Sequence, residues 1–295
     1  MSTQVSASGN RTGQILNVVQ RHWIEILAWI AFAVFWIPTF HFFYLAWDNP
    51  DGYYSHGFLI PFMCAWTAWL KKDSAAKMQP RPSAWAFALL FVFLGMATVA
   101  GLQNSQTMRG LAFPVSLAWF VAVLYGWNFV REFAFPILYL YFLCPIPEFV
   151  LTQVAFKVQI WSTIVATYIS KLFLISAYRV GTSIQTDYVN VEVGAPCSGF
   201  RMLVALTAFA VFLVYAVKGE LWRKILFVII AMPLSVMVNS LRVAILVAVG
   251  HWWDPELVPV LHDYSGYVVL LVAFVLMYGI ARLLGCREFR LMESS

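Results

Sequence analysis

Apolar residues dominate the chain in long blocks separated by short polar breaks. Blocks at 23–47, 53–70, 83–102, 111–127, 133–143, 200–217, 221–250 and 265–284 each predict an apolar helix. Most approach the roughly 20 residues needed to cross a hydrocarbon core. The block at 133–143 is short and extends toward its N-terminal side if Arg131 snorkels. Pro145 and Pro147 stop it. The breaks carry turn and charge signals: 48–52 reads Asp-Asn-Pro-Asp-Gly, and 71–82 holds Lys71, Lys72, Lys77 and Arg81. Residues 1–22 and 286–295 predict tails on either side of a single membrane domain at 23–285.

Residues 148–178 do not fit the pattern. They are long enough to span, yet carry Gln153, Lys157, Gln159, Ser162, Thr163, Thr167, Ser170 and Lys171. Lys and Arg in short loops set orientation. Arg11 and Arg21 place the N-terminus in the cytoplasm. The 71–82 loop, the Lys218–Lys224 connection and the tail with Arg282, Arg287 and Arg290 lie on the same side. Counting from both ends puts 145 and 197 outside, so 148–178 crosses an even number of times, most simply zero. It is then interfacial or re-entrant. A true span there would place residue 197 in the cytoplasm. Between 183 and 193, Ile184, Thr186 and Tyr188 alternate against Val189, Val191 and Val193, predicting a small two-stranded element. The fold class expected is an all-α polytopic membrane protein with about eight transmembrane helices, an interfacial or re-entrant helical segment and a small extracytoplasmic β-like loop.

Composition agrees. Of 295 residues, 62% are hydrophobic and 11% charged, against about 25% charged in soluble domains. Mean hydropathy is +0.77. The first block is too long for a signal-peptide core and has no small-residue cleavage site after it, so it reads as a retained anchor. The net charge of +5 comes from basic residues beside the spans, which argues against a nucleic-acid partner. Cys64, Cys144, Cys197 and Cys286 show no metal-ligand spacing, so no metal or cofactor is expected.

One cysteine has a chemical setting. Gly194-Ala195-Pro196-Cys197-Ser198-Gly199-Phe200-Arg201 is a small-residue turn that opens into an apolar helix. A helix N-terminus presents unpaired N–H groups and a positive dipole end, and both favour thiolate over thiol. Arg201, one turn on, adds positive charge. From Leu221 to Arg242 a helix rises roughly 30 Å, which sets that guanidinium near the far membrane boundary. Asn239 shares its face, and His262 opens the last span. Cysteine, arginine and histidine at one membrane face are the groups needed for acyl transfer through a thioester. His251, beside Trp252 and Trp253, and His56, in Tyr54-Ser55-His56-Gly57, compete for the acid–base role. The bland alternatives are a core cysteine, a snorkelling arginine and a solvated histidine. A second functional reading is a transporter or binding protein that holds a small solute or anionic lipid headgroup with Arg242 and His262.

Ala195-Pro196-Cys197-Ser198-Gly199, then Asn239-Ser240-Leu241-Arg242, then a histidine opening the last span resemble the three signature blocks of the exosortase/archaeosortase family. The segments Tyr54-Ser55-His56-Gly57-Phe58-Leu59-Ile60-Pro61 and Phe135-Pro136…Pro145-Ile146-Pro147 are similar to bacterial exosortases. The resemblance covers about 45–285. It implies a multi-pass cysteine transpeptidase of the cell (inner) membrane, acting on its extracytoplasmic side, with both termini cytoplasmic. Its partners would be membrane lipid, membrane-anchored proteins ending in a sorting signal (motif, transmembrane helix, basic tail) and an acceptor nucleophile. By position, Cys197 matches the family nucleophile, Arg242 its arginine and His262 its histidine. Arg201 and Asn239 support them. A proline directly before the cysteine sets this chain apart within the pattern.

Overall fold

A backbone surrounded by lipid must satisfy its own hydrogen bonds, so the apolar blocks fold as helices. The computed structural model describes the backbone of residues 4–49, 53–194 and 199–285, with side chains from 22 on except Asp263 and Tyr267. In chain order the helices are α1 (Gln4–Asp48), α2 (Ile60–Trp69), α3 (Lys72–Ala76), α4 (Ala84–Leu102), α5 (Gln106–Leu124), α6 (Trp127–Glu132), α7 (Ala134–Tyr139), α8 (Glu148–Leu172), α9 (Phe200–Ala216), α10 (Leu221–Trp252) and α11 (Leu257–Leu283). Single 3₁₀ turns at Ser55–Phe58 and Leu140–Leu143 precede α2 and follow α7.

Among the described residues, six helices are long and apolar enough to cross a membrane: His22–Asp48 of α1, then α4, α5, α8, α10 and α11. Five of the expected spans are therefore full-length. The other three are shorter: α2 has 10 residues, Ala134–Leu143 spans α7 and its 3₁₀ turn, and α9 has 17. Ten residues rise about 15 Å, half a hydrocarbon core.

The sixth long helix is α8, which falls where an interfacial or re-entrant segment was expected. It is one continuous helix of 25 residues with a hydropathy of 1.4, the lowest of the six. Its buried hydroxyls share one face, while Thr152, Gln153, Lys157 and Lys171 are exposed. Ser162, Thr163, Thr167 and Ser170 are buried at helical spacing, while Phe149, Phe156, Trp161, Tyr168 and Leu172 are exposed. Thr163, Thr167 and Ser170 donate back to the carbonyls of Gln159, Thr163 and Ala166, so their hydroxyls are satisfied within the helix.

The chain divides into two compact units. The first takes Met1–Tyr44 and Met78–Arg131. Here α4 and α5 form a hairpin. Its open end is pinned where the amides of Arg81 and Ser83 donate to the carbonyls of Tyr125 and Ala122, at 3.0 and 3.2 Å. Aromatic rings join α1 to α5: Phe32 stacks on Phe120 at 4.4 Å, and Trp36 meets Phe113 edge-on at 5.2 Å. Gly110 gives Phe43 room, since a Cβ there would lie 2.7 Å from its ring.

The second unit takes Leu45–Lys77 and Glu132–Ser295 and holds all the candidate site residues. The short elements pack on α9: Phe135 stacks on Tyr215 at 3.6 Å, and Tyr139 Oη donates to the Ala208 carbonyl at 2.9 Å. Ser240 Oγ donates to the Ser162 carbonyl at 3.1 Å, and further along the Phe173 and Trp252 rings are 6.4 Å apart. Both residue numbers rise together, so α8 runs parallel to α10. Arg223 at the start of α10 donates to the Leu284 carbonyl beyond α11 at 3.2 Å, so α11 runs back along α10.

A small antiparallel sheet follows α8: β1 (Tyr178–Val180), β2 (Ser183–Gln185) and β3 (Asn190–Glu192), in that order. Ile184 pairs with Val191, and these two point inward with Val193. They bury against Ala166 of α8 and Val243, Val247 and Ala248 of α10. The expected alternation is present. A third strand joins because Gly181, at φ +63°, closes a two-residue turn between Val180 and Ser183.

Candidate active site

The site grows from where α9, α10 and α11 meet. Gly199 caps α9 with φ +78°, a left-handed conformation that glycine adopts without penalty. Its Cα faces Asn239 of α10 so closely that a Cβ there would sit 3.0 Å from Asn239 Cβ and 3.1 Å from Nδ2. Asn239 is 1% exposed. One turn on, Arg242 is 9% exposed and turned toward α11. Its Nε donates to Ser265 Oγ at 2.8 Å and its Nη2 to the His262 carbonyl at 2.6 Å. Ser265 Oγ in turn donates to the His262 carbonyl at 3.2 Å. The structure thus brings Gly199, Asn239, Arg242 and the His262 turn into one run of contacts.

Cys197 itself, with Ala195, Pro196 and Ser198, lies outside the described residues. What is described is the frame around it. On the entry side, the Val193 carbonyl accepts from Gln159 Nε2 of α8, and the Val193 amide donates to the Thr182 carbonyl at 3.0 Å. On the exit side stands Gly199 against Asn239. The Ser240–Ser162 bond ties the α10 turn of Asn239 to the α8 turn of Gln159.

Arg201 lies in the first turn of α9, and its positive charge reaches the Tyr53 hydroxyl. Tyr53 packs edge-on against Phe200 at 5.2 Å. Burial nevertheless raises the Tyr53 phenol above its ordinary value.

The competing histidines sit elsewhere in their elements. His251 is nine residues beyond Arg242 on α10, about 14 Å along the axis, with its ring 4.9 Å from Tyr188. His56 has both ring nitrogens buried in the turn before α2. Burial pushes its imidazole down to about 4, and the neighbouring Phe142 and Tyr53 carbonyls offset only part of that. The Tyr54 hydroxyl beside it accepts from the Ile146 amide at 2.9 Å, so the segment reads as packing. Cys64 and Cys144 are buried. Cys64 Sγ donates to the Pro136 carbonyl, and burial pushes the Cys144 thiol up to about 12.

Two residues here carry more than their sequence context announced. Ser265 follows His262 by three positions and shares its face, the spacing that places it opposite Arg242. Gln159 stood out only as polarity in an apolar stretch.

A family model described as transmembrane exosortase matches residues 47–279, most of the chain, and the chain belongs to that family. No curated protein and no solved structure matches it.

Proposed function

Starting from membership of the transmembrane exosortase family, we propose that this chain is a membrane-embedded cysteine transpeptidase for C-terminal sorting signals. One observation carries the reading: Arg242, buried on an apolar helix, is seated on the helical turn of His262 while Asn239 on the same helix meets Gly199. A charge held inside an apolar helix bundle is costly and usually functional.

In this reading the Cys197 thiolate, two residues before Gly199, attacks a peptide carbonyl next to the substrate's transmembrane helix. The carbonyl π electrons move to oxygen, and Arg242 stabilises the resulting oxyanion. Collapse breaks the C–N bond. His262 gives its proton to the departing amine, leaving the signal helix in the membrane and a thioester on Cys197. His262 then takes a proton from the acceptor nucleophile, which attacks the thioester and releases the thiolate. Asn239 and Arg201 support the oxyanion and the thiolate. The site faces the extracytoplasmic side.

The test co-expresses the chain with a reporter ending in a motif, a transmembrane helix and a basic tail. Loss of the tail is expected with the native chain. Cys197→Ala and Cys197→Ser should abolish it, and His262→Ala should slow it by about 10²–10⁴. Solute transport or headgroup binding that survives Cys197→Ala, with no tail loss by the native chain, would instead support the solute- or headgroup-binding reading.

A further inference from the structure

Arg242 is held by its side edge. In a planar guanidinium, Nε–H and one Nη2–H point the same way, as a fork. Both prongs of that fork go to α11: Nε to Ser265 Oγ at 2.8 Å and Nη2 to the His262 carbonyl at 2.6 Å. The flat of the group lies over Gly266, where a Cβ would be 3.6 Å from Nη2, 3.8 Å from Cζ and 3.8 Å from Nη1. Near-equal distances to three guanidinium atoms mean that the plane lies along the turn rather than edge-on to it.

Ser265 does two jobs with one hydroxyl. Its oxygen accepts from Arg242, and its proton goes to the carbonyl that Arg242 also uses. A hydroxyl can do both, as donor and acceptor together. The three groups form a closed triangle whose corners lie on one turn of α11 and one side chain of α10. Rotation of the guanidinium breaks at least one of these bonds.

We infer that Ser265 is a positioning residue, fixing the rotation of the Arg242 guanidinium relative to the turn that carries His262. Resting on the transpeptidase reading, this adds a residue outside the cysteine–arginine–histidine set. It acts through Arg242 and touches no reacting atom. Its effect falls on the step in which the arginine must meet a developing charge, because pre-aimed donors matter most there. Substrate capture is left alone.

The experiment uses the full-length chain in membranes with two readouts. The first is processing of the tailed reporter, separated into kcat and KM. The second is the hydrogen-exchange rate of the Arg242 Nε–H by NMR, assigned by its loss in Arg242→Lys. For Ser265→Ala, kcat is expected to fall ten- to hundredfold with KM within about twofold. The Nε–H should exchange at least tenfold faster. Ser265→Thr, which keeps the hydroxyl, should return kcat to within about threefold of the native chain. If Ser265→Ala does not fold, Ser265→Cys, which keeps the volume and weakens the acceptor, is read the same way.

Unchanged kcat with unchanged Nε–H exchange overturns the inference. So does a fall in kcat that Ser265→Thr fails to restore. Equal processing by the native chain and Cys197→Ala overturns the transpeptidase reading instead. In that case the exchange readout still decides whether Ser265 holds Arg242.

Discussion

Gly199 and Asn239 define how closely α9 and α10 meet at the site. The glycine is required twice over, by φ +78° and by the 3.0 Å that a Cβ would leave to Asn239. The left-handed conformation alone costs an L-residue about 1–2 kcal/mol, and the contact adds to it. Gly199→Ala should therefore lower thermal stability in detergent and cut reporter processing at least tenfold. Gly95→Ala, in α4 with nothing within 4 Å of the added methyl, should leave both intact or raise stability slightly. Equal behaviour of the two variants would remove the argument that the α9 mouth is set by this contact.

At the scale of elements, helices too short to match a full hydrocarbon core still build the second unit. The short α2 and the Ala134–Leu143 stretch pack along α9, held by polar contacts as well as apolar ones. Tyr139 Oη donates to Ala208 at 2.9 Å, Cys64 Sγ donates to Pro136 at 3.4 Å, and the ring of Phe135 lies on Tyr215. Ala208 sits mid-way along α9, where its carbonyl already accepts within the helix, so the phenol is an added tie. Tyr139→Phe should cost about 1 kcal/mol, the net worth of one hydrogen bond. It should keep the ring stacking. Reversible unfolding in a denaturant series measures it, and a loss within error of zero would mean the hydroxyl contributes nothing there. On α8 the same logic explains how a stripe of buried hydroxyls survives in an apolar helix: Thr163, Thr167 and Ser170 bond their own backbone, and the Ser162 backbone carbonyl accepts from Ser240 of α10.

Across the second unit, the ends of the helices sort by charge. Arg223 at the start of α10 reaches Leu284 past the end of α11, so Lys218, Arg223, Lys224 and Arg282 gather at one end. The sheet packs at the other, against Val243–Ala248 of α10. Basic residues favour the cytoplasmic side, so the sheet and the site should face outward. A cysteine introduced at Asn190, exposed on β3, should react with a membrane-impermeant thiol reagent in intact cells. Reaction only after permeabilisation would reverse the orientation and exclude an extracytoplasmic site. The parallel course of α8 and α10 bears on the same count. A chain that rises along α10 at 148–172 puts Glu148 and the sheet at opposite ends of α10. The loop count that set 145 on the same side as the sheet therefore fails, while the sheet stays at the end away from Lys218, Arg223 and Arg282.

The sequence by itself determined the membrane class and most of the helix positions, and it pointed to the residue types of the candidate site. Hydropathy sums over a window, and lipid enforces helices wherever that sum is high enough. The blocks around Cys197, Arg242 and His262 were legible for a related reason: charged and reactive side chains are rare enough in apolar helices to be seen singly. Tertiary structure decided what a windowed sum cannot carry. It decided that 148–172 is one long helix, because buried hydroxyls bonded to their own backbone and exposed polar side chains depress the average without breaking the helix. It decided that 60–69 and 134–143 are short, because a run of apolar residues does not say whether lipid or a neighbouring helix covers it. It also decided that Arg242 is aimed by Ser265 and the His262 carbonyl, because a hydrogen bond between helices depends on how two faces are rotated against each other, and no spacing within either helix records that rotation.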